Sequence, residues 1–291
     1  MISTTYLEQD TDMEPFEDYR RLLFSIAYRM LGSVMEAEDI VQEAYLRYQA
    51  TPPDRIQSPK AYLSTIVTRL CLDHLKSAKT QRETYIGPWL PEPLLTGEDA
   101  MLRDSDSISM AFLVLLESLT PVERAVFLLR EVFDYEYAEI ARIVGKEEAA
   151  CRQLFSRAKK HVTERRPRFH STPEEQQAII GKFFMAANAG DMDGLMNLLA
   201  DDITWWSDGG GKAPAARRPL YGATNIARFA LALPRAMPEG VQVEMAEING
   251  QTAIILRLAD GSPWYVMTFE IGNGRIQAVR VVGNPDKLKH L

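Results

Sequence analysis

Two cysteines and four histidines in 291 residues leave this chain poor in the side chains from which disulfide frameworks and transition-metal sites are built. Cys71 and Cys151 fall on the apolar faces of two different helical repeats, where a free thiol acts as a small hydrophobe. His74, His161, His170 and His290 are scattered without ligand spacing, so neither a metal nor another cofactor is expected. No apolar run approaches the ~20 residues that a membrane-spanning helix needs. The start of the chain, with Glu8, Asp10, Asp12 and Glu14, is unlike the basic start of a signal peptide. The expectation is a cytoplasmic protein with no membrane contact. Positive charge is also in deficit, at 33 Lys/Arg against 40 Asp/Glu. That excludes a uniformly basic surface, so any polyanion must meet a local one.

Such a surface is present. The stretch Asp134 to Val162, DYEYAEIARIVGKEEAACRQLFSRAKKHV, reads as helix, tight turn and basic helix. Tyr137, Ile140, Ala141 and Val144 repeat at helical spacing, Gly145 supplies the turn, and Cys151, Leu154, Phe155 and Ala158 form the inner stripe of the second helix. Its outer face is left to Arg152, Gln153, Ser156, Arg157, Lys159 and Lys160. Between Arg142 and Arg168 stand nine Lys/Arg against three Glu. A solvated amphipathic helix would carry similar charge, but the turn between two amphipathic helices favours a helix held for a DNA groove.

The remainder divides into modules. After a tail (1–13), residues 14–79 hold three helical repeats: Phe16 to Leu31, ended by Gly32; AEDIVQEAYLRYQ from near Glu36; and KAYLSTIVTRLCLDHLKSAK, with Ser58 as N-cap and Pro59 as first helical residue. Residues 80–106, with the Pro-rich YIGPWLPEPL and then Glu98, Asp99, Asp104 and Asp106, read as a linker. A second all-helical module spans 107–168, its second helix opened by the capping box Thr120-Pro121-Val122-Glu123. Residues 169–291 turn to α+β: an apolar helix ending at Asn188-Ala189-Gly190, a short one near Leu195–Leu199, then two hairpins, one about Asn249-Gly250 and one about Gly272-Asn273-Gly274. A curved antiparallel sheet wrapped on helices is expected.

AEDIVQEAYLR with PKAYLSTIVTRLCLDHLK, followed by LTPVERAVFLLR, EYAEIARIVG and CRQLFSRAKK in that order, resembles the bacterial extracytoplasmic-function sigma factors over residues 14–168. FFMAANAGDMDGLMNLLADDITW resembles the opening of a SnoaL-like domain. WSDGGGK (206–212), NPDKL (284–288) and YIGPWLPEPL together resemble one subgroup, in which the extension regulates the sigma factor in cis. The resemblance implies two all-α sigma modules, regions two and four, followed by a SnoaL-like cone. It further implies contact of Asp39, Ile40, Gln42 and Glu43 with core RNA polymerase. The single-stranded −10 element of promoter DNA would be met by Arg55, Lys60, Tyr62, Arg69, Lys76 and Lys79, although Tyr62 is equally in phase with a core stripe. The six outer residues of the basic helix would meet the −35 element, Arg and Gln reading base edges and lysines neutralising phosphate.

Asp208, Gly209, Gly210, Gly211 and Lys212, with Asn284, Pro285, Asp286, Lys287 and Leu288, are expected to form a regulatory interface, an intramolecular contact between the extension and the sigma modules. A phosphate loop is excluded, because no Gly stands five residues before Gly211 and Ala213 replaces the required Ser/Thr. Trp205, Trp206, Asp208 and Tyr221 are candidates to line a small-molecule pocket. The extension has no His between His170 and His290 and no nucleophile motif, so no enzyme activity is expected. The competing readings are a free-standing helix-turn-helix regulator with a ligand-sensing domain, and an enzyme whose N-terminal half serves only for location.

Overall fold

The computed structural model describes residues 14–97, 105–165 and 171–291. The tail 1–13 and the acidic residues Glu98, Asp99 and Asp104 lie outside them. The chain forms two compact units, one of residues up to 80 with 115–165, the other of 81–114 with 166–291.

The first unit is all helical. α1 (Glu14–Leu31), α2 (Val34–Gln49) and α3 (Pro59–Glu83) follow the periodicity read from the sequence. α2 begins two residues ahead of the expected start because Ser33 caps it, its hydroxyl accepting the Glu36 amide at 3.1 Å. Leu23, Ile26, Ala27, Ala37, Val41, Leu63, Val67 and Cys71 are buried, so Cys71 is core, and burial raises its thiol pKa. α6 (Pro121–Glu131) opens with the expected capping box of Thr120 and Glu123. α7 (Tyr137–Val144) ends at Gly145 with φ +67°, a left-handed conformation that glycine adopts without a side-chain penalty. α8 (Glu148–Arg165) follows, and Val126, Leu129, Tyr135, Ile140, Ile143 and Cys151 close the core beneath it.

The second unit is α+β. α4 (Ser105–Ile108) and α5 (Met110–Leu116) are separate helices where one was expected, because Ser109 caps α5 through the Phe112 amide at 3.2 Å. The unit boundary at 114/115 falls inside α5. α9 (Pro173–Ala189), α10 (Met192–Leu198) and α11 (Ala223–Ala236) accompany β1 (Leu199–Asp208), β2 (Leu220–Tyr221), β3 (Gln242–Ile248), β4 (Gln251–Arg257), β5 (Pro263–Gly272) and β6 (Arg275–Val282). The sheet order is β2-β1-β6-β5-β4-β3. It is mixed rather than antiparallel throughout, since β1 runs parallel to β6, a pairing between strands far apart in the chain. Both hairpins form, and their turns are two residues long: Asn249-Gly250 and Asn273-Gly274, all four with positive φ.

The sheet has two apolar faces. Ile254, Leu256, Met267, Phe269, Val279 and Val281 pack on the helices, while their alternates Ala253, Ile255, Val266 and Val282 join Leu90, Met110 and Leu288 on the opposite side. The segment read as a linker therefore covers a sheet face. Pro91, Glu92, Pro93 and Leu94 are buried, the Leu94 carbonyl accepts the Asn249 amide at 2.8 Å, and Leu95 forms a β-bridge with Ile248. No described helix is long and apolar enough to cross a membrane.

Candidate functional site

α8 presents the basic face expected of it. Cys151, Ala158 and Val162 are buried, and Tyr137 meets Phe155 edge-on at 6.0 Å between ring centroids, which fixes the angle of α8 on α7. Arg152, Gln153, Ser156, Arg157, Lys159 and Lys160 are all exposed. The four cations have carboxylate neighbours: Arg152 meets Glu148 at 2.5 Å, Arg157 meets Glu123 at 3.7 Å, Lys159 meets Glu131 at 2.9 Å, and Lys160 meets Glu164 at 3.9 Å. The Arg152 guanidinium also lies 4.8 Å from the centroid of the Tyr137 ring. Solvent-exposed pairs of this kind hold weakly and yield to a phosphate.

On α2, Asp39 and Gln42 are exposed, and Glu43 is half-buried and paired with Arg47 at 2.8 Å. Ile40 differs from these three, being buried at 8% exposure on the inner face. It shapes the helix from within rather than facing outward.

A depression of about 490 Å³ lies between the end of α2 and the start of α3, lined by Arg47, Ala50, Thr51, Tyr62, Thr65, Ile66 and Arg69. Tyr62 is half-buried, and its hydroxyl meets Thr51 Oγ1 at 2.7 Å at the wall. Arg55 and Lys60 are exposed near the same end of α3, while Lys76 is exposed further along and paired with Asp73 at 2.7 Å. The side chain of Lys79 lies outside the described residues. Arg47, Thr51 and Thr65 were not anticipated; Thr65 stands in helical phase with Tyr62 and Arg69 on α3, whereas Arg47 and Thr51 come from the end of α2 and the loop after it, where no local pattern signalled them.

Arg69 does more than line this depression. Its Nε donates to the Ile143 carbonyl at 3.0 Å and its Nη2 to the Arg142 carbonyl at 2.9 Å, at the C-terminal end of α7. Ser64 and Tyr135 share a hydroxyl hydrogen bond of 2.6 Å, and the Lys60 ammonium lies 5.4 Å from the Tyr135 ring centroid. Arg124 of α6 donates to the Met30 carbonyl at 2.6 Å and meets Glu117 at 2.7 Å. Its burial pushes its pKa down to about 10. Within the first unit, α3 and the helix-turn-helix are thus bonded face to face.

The second unit gathers WSDGGGK, NPDKL and YIGPWLPEPL around one carboxylate. Asp208, fully buried at the end of β1, accepts the Tyr85 hydroxyl at 2.5 Å on Oδ1. On Oδ2 it accepts the Leu90 amide at 2.8 Å and the Lys287 ammonium at 2.7 Å. Lys287 also donates to the Leu90 carbonyl and lies 4.2 Å from the Trp89 ring centroid. Asn284 Nδ2 donates to the Tyr85 hydroxyl at 2.9 Å. Burial, and then the bond to Asp208, raises the Tyr85 pKa far above its ordinary value.

The glycines of DGGGK have a steric reason. A Cβ on Gly210, whose φ is +57°, would stand 2.3 Å from Asn284 Nδ2, and one on Gly211 would stand 2.9 Å from the Ile86 side chain. Lys212 reaches Asp286 in an exposed ion pair, and Pro285 opens a single 3-10 turn. Asp208, Lys287 and Leu288 are interior residues, and Asp208 and Lys287 hold the connecting segment 85–90, so the motifs expected to contact the sigma modules bind the stretch read as a linker.

The sequence model of Sigma-70 region 2 matches residues 15–81, and that of Sigma-70, region 4 matches residues 109–162. The ECF RNA polymerase sigma factor SigJ of Mycobacterium tuberculosis is 38% identical over 290 residues, covering 95% of this chain and 93% of that protein. The probable ECF RNA polymerase sigma factor SigI of the same organism is 31% identical over 278 residues, covering 94% and 93%. The crystal structure of Mycobacterium tuberculosis SigJ matches with a TM-score of 0.74 at 36% identity, over 94% of this chain and 97% of that one.

Proposed function

We infer the working of this chain from a premise the comparisons establish: it belongs to the extracytoplasmic-function (ECF) RNA polymerase sigma factors. It acts in promoter recognition and is not an enzyme by family. A free-standing helix-turn-helix regulator does not account for the Sigma-70 region 2 match.

In our reading, it works in the cytoplasm, with Asp39, Gln42 and Glu43 meeting the basic clamp surface of core RNA polymerase and α8 entering the major groove of the −35 element. The depression at Thr51, Tyr62, Thr65 and Arg69 takes an unstacked base of the −10 element.

One observation supports regulation in cis: Asp208 and Lys287 hold the stretch that connects the two sigma modules. The two promoter elements lie about 25 base steps apart, roughly 85 Å of duplex at ~3.4 Å per step. The bonds of Arg69 to the end of α7 hold the helix-turn-helix against α3, so meeting both elements requires the two to part. Opening requires the connector 81–114 to extend, and the Asp208 clasp opposes this. The clasp is therefore inhibitory.

Transcription by purified core polymerase and the full chain tests this. Tyr85→Phe removes the hydroxyl bonds to Asp208 and Asn284 while keeping the ring, and is expected to raise transcript yield several-fold. Unchanged yield from the folded variant would count against the clasp as the regulator.

A further inference from the structure

The motif cluster shares a single residue, Ser207, with the cavity that lies beside it. Between α9, α11 and the helix-packed face of the sheet, the second unit holds a half-open cavity of about 340 Å³, lined chiefly by Phe183, Phe184, Trp205, Phe229, Leu233 and Trp264. The volume is in the range of small-molecule sites. None of the lining residues is charged. An ionised ligand would stay unpaired there, which opposes its burial. Three polar groups stand at the wall. Ser207 Oγ accepts the Trp205 indole N–H at 2.8 Å, which leaves its own proton to donate; the Tyr265 hydroxyl donates to the Pro214 carbonyl at 2.5 Å, which leaves its lone pairs; Asn188 offers an amide. Flat aromatic walls with so few polar contacts fit rings carrying one or two neutral oxygen or nitrogen functions. The titratable wall residue is Tyr265, whose pKa burial raises and whose hydroxyl is committed to the Pro214 carbonyl, and no carboxylate or histidine stands with it, so the cavity is built for binding rather than turnover.

Its walls continue directly into the clasp. Ser207 precedes Asp208, and Pro214 follows the turn in which the Lys212 and Ala213 amides bond the Gly209 carbonyl at 2.9 and 3.0 Å. Gly283, adjoining Asn284, packs so closely on Tyr265 that a Cβ would stand 2.0 Å from its ring. A molecule that displaces Tyr265 or Pro214 moves the residues on which Asp208 and Asn284 are mounted.

We propose that this cavity is a binding site for an uncharged, ring-containing apolar molecule, whose occupancy biases the Asp208 clasp. Its regulatory role rests on the reading above; the site itself does not. The test is a fluorescence titration of the full chain with prodan, an uncharged naphthalene fluorophore, and with anilinonaphthalene sulfonate, a ring system of related kind that carries a negative charge. Prodan is expected to bind saturably at one equivalent with blue-shifted emission, and the sulfonate at least tenfold more weakly. Ala216→Trp on the loop and Leu233→Trp on α11 fill the cavity from two different elements, and either, folded by circular dichroism, is expected to weaken prodan at least tenfold. Absence of saturable prodan binding, equal affinity for the sulfonate, or full binding by both folded Trp variants overturns the site. Saturable binding with unchanged transcript yield supports the site and overturns the regulatory reading instead.

Discussion

Lys159 and Lys160 on α8 carry the same ammonium group as Lys287 near the end of the chain, yet their surroundings are opposite. The side chains of the first two are 51% and 78% exposed and sit beside Glu131 and Glu164, carboxylates that are themselves in water. Lys287 is 8% exposed, and its partner Asp208 is fully buried. An exposed pair is worth ~0–1 kcal/mol and exchanges partners freely, which leaves the α8 cations available to phosphate. A buried pair is expensive to desolvate and holds only if every polar group is satisfied. Asp208 meets that condition with three donors, so the same chemistry serves as an open surface in one unit and as a lock in the other.

The largest expected effect breaks the lock. Asp208→Ala leaves the Lys287 ammonium buried without its counterion and the Leu90 amide without its acceptor. The expected loss is about 3–5 kcal/mol of stability in the second unit, read by urea denaturation followed at its tryptophans. Adding Lys287→Met to that variant is expected to restore much of the loss, because an apolar pair of similar shape needs no partner. A single-variant cost below about 1 kcal/mol would mean that the buried pair behaves like the surface pairs of α8.

Next in size is Arg152→Ala, which sharpens the other side of the comparison. If Arg152 leaves Glu148 and Tyr137 to contact a base, its loss costs ~1–3 kcal/mol at one −35 position. Lys160→Ala is then the contrast, weakening binding to all promoters alike and lowering the salt slope. An unchanged ranking of −35 variants with Arg152→Ala would remove the base-reading role.

What was legible in the sequence was local. Helical periodicity located α1, the Thr120 box located α6, Gly145 marked the turn before α8, and Asn249-Gly250 marked a hairpin. Each is decided by residues within one turn of one another. The parallel pairing of β1 with β6 is decided by residues about 74 apart, and no local rule reports it. α11 was missed although Ile226, Ala227 and Ala230 stand at helical spacing, with Pro234 obscuring its last turn. The motif cluster was half legible. DGGGK and NPDKL stood out as one regulatory interface, but the connector that Asp208 and Lys287 hold read as a linker. Two signals pointed inward: Trp89, Leu90 and Leu94 are too apolar for a free spacer, and the unbroken apolar run AIIL in β4 implies a sheet covered on both faces. The bonding of Arg69 to the carbonyls of α7 had no such signal, since an arginine on an exposed helix face looks the same whether it meets DNA or a carbonyl.

The smallest expected effect belongs to the second link between the same two motifs. Lys212 and Asp286 join the DGGGK loop to the NPDKL turn as Lys287 and Asp208 do, but with side chains 56% and 45% exposed. The hydrogen bond from Lys212, then that from Lys289, lowers the Asp286 pKa. A carboxyl with a depressed folded pKa adds stability that is fully present above its unfolded value, ~3.9 for Asp, and is lost as pH falls through the folded value. At pH 7 the exposed position limits the contribution of Lys212 to below ~1 kcal/mol, and Lys289, 3.1 Å from Asp286, replaces part of it. Lys212→Ala is therefore expected to lower the melting temperature only slightly at pH 7 and low salt. The difference from the parent chain is expected to shrink in 0.5 M salt and to disappear once Asp286 is protonated. A loss comparable to that of Asp208→Ala, or one insensitive to salt, would show that the outer pair is part of the lock, and exposure would no longer separate the two.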